Sequence, residues 1–194
     1  MSDSQLRCFI AVPLPGRIKK GLAVIQSALK GRPIKAGWPS PSGFHLTLTF
    51  LGKVPLHKIS AVESAMAVAA AETQCFNLTF GALGAFPRPD KARVLWIGLD
   101  EGADELKRLR QRIVSRLKKD GLPVENQKFS PHITLARIKQ PVTGRSIQTL
   151  MNLVPYPSVN MFPVGCIHLY KSQLARSGAV HTSLCAAKLS GFFG

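Results

Sequence analysis

Acidic residues are scarce. Ten Asp+Glu stand against 26 Lys+Arg in 194 residues, a formal net charge of +16. Such a field attracts polyanions such as RNA, DNA, nucleotides or an acidic membrane surface, and it speeds encounter with them. Long hydrophobic runs are missing, so no segment reads as a bilayer-crossing helix. The opening "MSDSQLRCFIAVPLPG" places Asp3 ahead of a short apolar run and lacks a small-residue cleavage pattern, so it reads as a first strand rather than a signal peptide. Cysteine occurs four times, at Cys8, Cys75, Cys166 and Cys185, with no Cys-x-x-Cys pair. That spacing argues against a zinc site or redox motif and leaves buried, reduced thiols in a cytoplasmic protein as the expectation. A Gly-x-Ser-x-Gly nucleophile elbow is also absent, which weakens a Ser-His-Asp triad.

What is present is globular in character. A hydrophobic fraction of 45% and a charged fraction of 19% suit a packed core. "RCFIAVPLP" (7–15) reads as a strand closed by prolines. In 17–31, Ile18, Leu22, Ile25 and Leu29 fall at helical spacing with Gly31 as a stop. "AGWPSPSG" (36–43) reads as a loop leading into strand "FHLTLTFLG". An alanine-rich helix over 57–72 and strands "FNLTFGALGAF" and "RVLWIGLD" follow. The segment 101–120 is the clearest helix, with Asp104 and Glu105 at its start, Lys118 and Lys119 at its end and Gly121 beyond. Its seven basic residues from Lys107 to Lys119 read as a solvated face. Strand "FSPHITLARI", a short helix near 144–153, strand "VGCIHLYKSQL" and strand "GAVHTSLCAAKL" complete the chain. The halves echo each other. The expectation is an α/β (α+β) fold spanning 1–194 as a single bilobal domain, with two pseudo-symmetric lobes around a central cleft.

"FHLTLTF" (44–50) and "PHITLAR" (131–137) repeat a His-x-Thr pattern, once per half. Alternation places His45, Thr47 and Thr49 on one strand face, and His132 and Thr134 together on another. One such motif is ordinary strand composition. Two at matching positions can set two imidazoles opposite each other, each beside a hydroxyl donor. This suits phosphodiester cleavage without a metal: one neutral imidazole accepts a proton from water and the other, protonated, supplies one to the departing oxygen. Threonine hydroxyls and Arg137 can hold the non-bridging oxygens. The alternative of a two-histidine metal site lacks clustered Asp, Glu or Cys, and hydroxyls are poor zinc ligands.

With these residues in place, the chain resembles the two-histidine (2H) phosphoesterases, specifically RNA 2′,3′-cyclic phosphodiesterases of LigT/ThpR type. "RCFIAVPLP", "FHLTLTFLGKV", "ARVLWIGL", "FSPHITLAR" and "IHLYKSQLARSGAVHTSL" carry the resemblance nearly end to end. It implies small antiparallel sheets with outer helices around a cleft. It also implies hydrolysis of RNA or nucleoside 2′,3′-cyclic phosphates to 2′-phosphomonoesters, and reversible 2′–5′ RNA ligation. His45 is then the proton donor and His132 the proton acceptor. Thr47, Thr134 and Arg137 bind the phosphate, and Phe50 stacks on the base. No cofactor, metal or membrane is implied, and a monomer acting on RNA ends or cyclic nucleotides is expected. The other class of function is a non-catalytic RNA- or phosphate-binding module of the same fold. Three features stand apart. Strict alternation puts Phe50 and Arg137 on the strand face opposite their histidines, so twist, a bulge or early strand ending must return them. His181 occupies a position where the family usually has tyrosine. "RPIKAGW" lacks the arginine common before the tryptophan, and Trp38 reads as core. His57 reads as surface; His168, Tyr170 and Ser172 line a cleft or pack.

Overall fold

Alternation in the first strand sets the pattern for the molecule. In β1 (Gln5–Pro13), Cys8, Ile10 and Val12 enter the main apolar cluster while Phe9 and Ala11 face the other side. The computed structural model describes residues 4–32, 34–122, 124–125, 128–140, 147, 149, 151–152, 154, 160–175 and 178–191. After β1 come α1 (Gly16–Lys30), β2 (Ala36–Gly37), β3 (His45–Pro55), α2 (Ile59–Ala71), β4 (Phe76–Phe86), β5 (Val94–Leu99) and α3 (Ala103–Lys119). Then follow β6 (His132–Ile138), β7 (Met161–Val164), β8 (Cys166–Ala175) and β9 (Gly178–Lys188).

Helices form where apolar residues recur every three to four positions. α1 buries Ile18, Leu22, Ile25 and Leu29, and α3 buries Leu106, Leu109, Ile113 and Leu117. Gly121, at φ +64°, ends α3 in the left-handed region, and Leu122 N–H donates back to the Leu117 carbonyl at 2.8 Å. In α2, Ala65, Ala69 and Ala70 beside Val62 and Met66 let the helix lie against α3, β8 and β9. The expected helix over 57–72 is split, a 3₁₀ turn at Leu56–Lys58 preceding α2. In the short helix expected near 144–153, residues 147, 149, 151 and 152 are helical; the rest lie outside the described residues.

The basic face of α3 is solvated in part, as expected, and in part tied to neighbouring elements. Lys107 and Arg108 pair with Asp104 and Glu105 in the first turn. Arg112 donates to Thr73 Oγ1 at 3.1 Å, Arg116 pairs with Glu72, and Arg110 turns inward to the Leu48 carbonyl at 3.0 Å. Partners on other elements leave Arg110, Arg112 and Arg116 half-buried, while Lys107, Arg108, Lys118 and Lys119 stay exposed.

The strands form two antiparallel sheets, ordered β3-β1-β8-β9 and β2-β6-β5-β4-β7. β3 of the first sheet approaches β6 of the second. The two His-x-Thr strands therefore meet where the sheets face each other, in the expected α/β architecture of two small antiparallel sheets with helices outside. β3 is an edge strand, and two of its carbonyls are covered: Leu48 O accepts from Arg110 Nε, and Phe50 O from the Glu125 N–H at 3.4 Å.

Candidate active site

A backbone bulge answers the parity problem in each half. In the β1–β3 ladder Ala11 pairs with Thr47 and Ile10 with Thr49, so Leu48 has no partner. In the β5–β6 ladder Trp96 pairs with Thr134 and Leu95 with Ala136, so Leu135 has none. Each unpaired leucine is the third residue after its histidine. One extra residue reverses the alternation beyond it. Phe50 then pairs with Phe9 on the His45 face, with ring centroids 5.8 Å apart. Arg137 pairs with Val94, two residues from Trp96 and so on the His132 and Thr134 face. Thr49 moves the opposite way, contrary to the simple alternation: it pairs with the core residue Ile10, is 3% exposed, and its Oγ1 has no hydrogen-bond partner.

Both imidazoles are oriented alike. His45 Nδ1 lies 2.7 Å from the Gly43 carbonyl and His132 Nδ1 lies 2.7 Å from the Ser130 carbonyl, in each case two residues back. A carbonyl only accepts, so Nδ1 carries the hydrogen in both rings and Nε2 is left for chemistry. Burial lowers the proton affinity of His45 to a pKa of about 4; the Gly43 carbonyl opposes this, and the charges of His181, Lys19 and Arg137 add to it. His132 is also lowered, first by burial and then by Arg137, against the opposing Ser130 carbonyl. The Arg137 charge thus lowers both histidines from the His132 and Thr134 face of β6. Lys19 Nζ is held at the rim by the Ser42 carbonyl at 2.6 Å.

Aromatic rings build the walls. Around His45, Phe9 lies at 4.8 Å, His181 edge-on at 5.1 Å and Tyr170 at 6.2 Å. His181 Nδ1 is buried without a partner. Around His132, Phe86 lies edge-on at 4.9 Å and Trp96 at 6.2 Å. Gly84, paired with Trp96, makes room for that indole, since a Cβ there would sit 2.2 Å from its ring. Sequence reasoning missed Phe9, Lys19, Phe86 and Trp96. Alternation in β1 and β5 was the available signal for Phe9 and Trp96.

The remaining singled-out residues also find places. His168 Nδ1 lies 2.9 Å from Ser183 Oγ, and its ring stacks on Tyr170 at 5.6 Å. Ser172 pairs with His181 across β8 and β9. His57 is exposed in its 3₁₀ turn. Trp38 packs partly buried against the core, with Lys30 Nζ 5.8 Å from its ring centroid. Among the described residues no three His, Cys, Asp or Glu side chains converge in a way that could hold a metal ion, and no helix is long and apolar enough to cross a membrane.

Known proteins are similar to this chain in sequence and fold. The RNA 2′,3′-cyclic phosphodiesterase of Aeropyrum pernix is 37% identical over 145 residues, covering 75% of this chain and 81% of its own. The protein of that name from Thermotoga maritima is 30% identical over 186 residues, covering 96% and 97%. Escherichia coli LigT, solved in complex with 3′-AMP, matches with a TM-score of 0.76 and 29% identity, covering 97% of this chain and 100% of that one. A Thermus thermophilus protein matches with a TM-score of 0.80 and 26% identity, over 95% and 98%. The family model described as the 2′-5′ RNA ligase superfamily matches residues 28–176, and the chain belongs to that superfamily.

Proposed function

We propose that this chain is an RNA 2′,3′-cyclic phosphodiesterase, a single bilobal domain that opens a cyclic phosphate at an RNA end or on a nucleoside to a 2′-phosphomonoester. The observation that carries this reading is the pair of mirrored imidazoles, each with Nδ1 tied back to a carbonyl and both within the field of Arg137. Relatives bearing the same activity in their names support it.

On this reading His132 Nε2 takes a proton from water as the water oxygen attacks phosphorus. The P–O3′ bond breaks, and His45 Nε2–H gives its proton to O3′. Arg137 and the Thr47 and Thr134 hydroxyls hold the non-bridging oxygens as charge gathers there, and Phe50 stacks on the base. The donor and acceptor labels come from the family resemblance. His132, depressed by burial, is neutral near pH 7, as a base must be. His45, buried more deeply, binds its proton weakly; an anionic phosphodiester beside it offsets the Arg137 and Lys19 charges and favours the imidazolium. A 5′-hydroxyl in place of water gives a 2′–5′ linkage, which is the ligase reaction. No step requires a metal ion. Both motifs come from one chain, which suits a monomer, and free Cys8, Cys75, Cys166 and Cys185 suit the reducing cytoplasm.

The test is hydrolysis of adenosine 2′,3′-cyclic phosphate and of a cyclic-ended oligoribonucleotide in excess chelator, with the product identified by ³¹P NMR. A 2′-phosphate is expected. Tight RNA binding with no turnover would instead favour a non-catalytic binding module.

A further inference from the structure

The two bulges are each held from outside their own ladder. Leu48 O accepts from Arg110 Nε of α3 at 3.0 Å, and Leu135 O accepts from Gln26 Nε2 of α1 at 3.1 Å. An unpaired residue in a bulge loses its ladder partner, and a buried carbonyl left bare favours slipping back into register. The arrangement is crossed. α1 precedes β3 in the chain yet serves the bulge of β6; α3 precedes β6 yet serves the bulge of β3. Gln26 is the polar exception on the buried stripe of α1, 1% exposed, and its amide also donates to the Pro39 carbonyl at 2.9 Å. The Arg110 guanidinium sits 4.9 Å from the Phe129 ring centroid, in the segment that covers the β3 edge.

We infer that Gln26 and Arg110 are positioning residues, each holding the bulge on one motif strand and thereby turning Arg137 and Phe50 into the cleft. Neither touches the reacting phosphate. Gln26 acts through Arg137, and Arg110 acts through Phe50. The crossing is one of chain order: α1 packs against β6 and α3 against β3, so each helix clamps the motif strand it lies on. The role in catalysis rests on the cyclic phosphodiesterase reading above.

The experiment combines kinetics with hydrogen exchange. Gln26→Met and Arg110→Met keep length and apolar bulk but remove the donor. kcat and KM for adenosine 2′,3′-cyclic phosphate are measured for Gln26→Met with and without Arg137→Ala, and for Arg110→Met with and without Phe50→Ala. Amide exchange is followed at 134–137 and 47–50. Each Met variant is expected to lower kcat/KM roughly ten- to a hundredfold alone, the scale of a misplaced contact group, and to add nothing once its target residue is gone. Exchange at the matching bulge should quicken while the rest of its strand stays protected. Losses that add fully in both backgrounds, or no loss with unchanged exchange, overturn the inference. If Gln26→Met fails to fold, the less buried Arg110 carries the same test. A wild type that does not turn over the substrate defeats the functional reading, and the exchange data then decide the bulge clamps alone.

Discussion

His45 is the residue on which most forces converge. It lies against Phe9 and His181 and feels Lys19 and Arg137, and its pKa near 4 follows first from burial. His181 faces it edge-on from β9, with Tyr170 of β8, Lys19 of α1 and Arg137 of β6 the other titratable or charged groups about the pair. Two imidazoles in contact resist carrying charge together. His181→Tyr removes the like charge, so the His45 pKa should rise above about 4, read by NMR of the ring Cε1–H. Saturating 2′-AMP should raise it further in both proteins. A His45 titration unmoved by either change would show that neighbouring charge does not govern this ring. The sequence showed that His181 departs from the family pattern, but not that it touches His45, because their contact depends on sheet order across most of the chain.

At the level of elements, alternation predicted the His/Thr faces and failed one residue past each threonine. Nothing in "HLTLTF" or "HITLAR" marks Leu48 or Leu135 as unpaired, since both are ordinary apolar strand residues. The register is imposed by neighbours: β1 and β5 on one side, and Arg110 and Gln26 from the helices. A weak signal did exist. Gln26 is polar on an otherwise apolar helical stripe, and the proposed roles of Phe50 and Arg137 require both to cross to their histidines' faces. Thr49 tests the bulge independently. Thr49→Val replaces a buried, unpartnered hydroxyl with a methyl of like size, so stability should rise by about 1 kcal/mol with kcat/KM unchanged. Chemical denaturation and steady-state kinetics check this together. A large loss of activity would mean that Thr49 faces the cleft after all.

Over the whole molecule, the echo of strand, helix and motif strand was legible in the chain, and it correctly indicated two sheets facing across a cleft. Sheet order was not, because β8 and β9 close the first sheet from the far end of the sequence. The buried histidines also make stability depend on pH. An unfolded imidazole binds its proton near 6.5, whereas folded His45 does so only at about 4. Between those values the unfolded chain holds more protons, so stability is full above the upper one and falls as pH drops through the window. His45 alone contributes roughly 3 kcal/mol to that fall, and lowered His132, His168 and His181 add in the same direction. Urea unfolding at pH 7.5 and 4.5 should show the loss, with a smaller difference in His45→Gln. An equal loss in that variant would place the acid sensitivity elsewhere.

The proposed convergence of two mirrored imidazoles on one phosphate is tested most directly by kcat/KM for a 2′,3′-cyclic nucleotide in the single variants His45→Ala and His132→Ala, both verified as folded. Each should lose on the order of 10²–10⁴-fold, the usual scale for removing a general acid or base. Near-wild-type turnover in either variant would contradict the account.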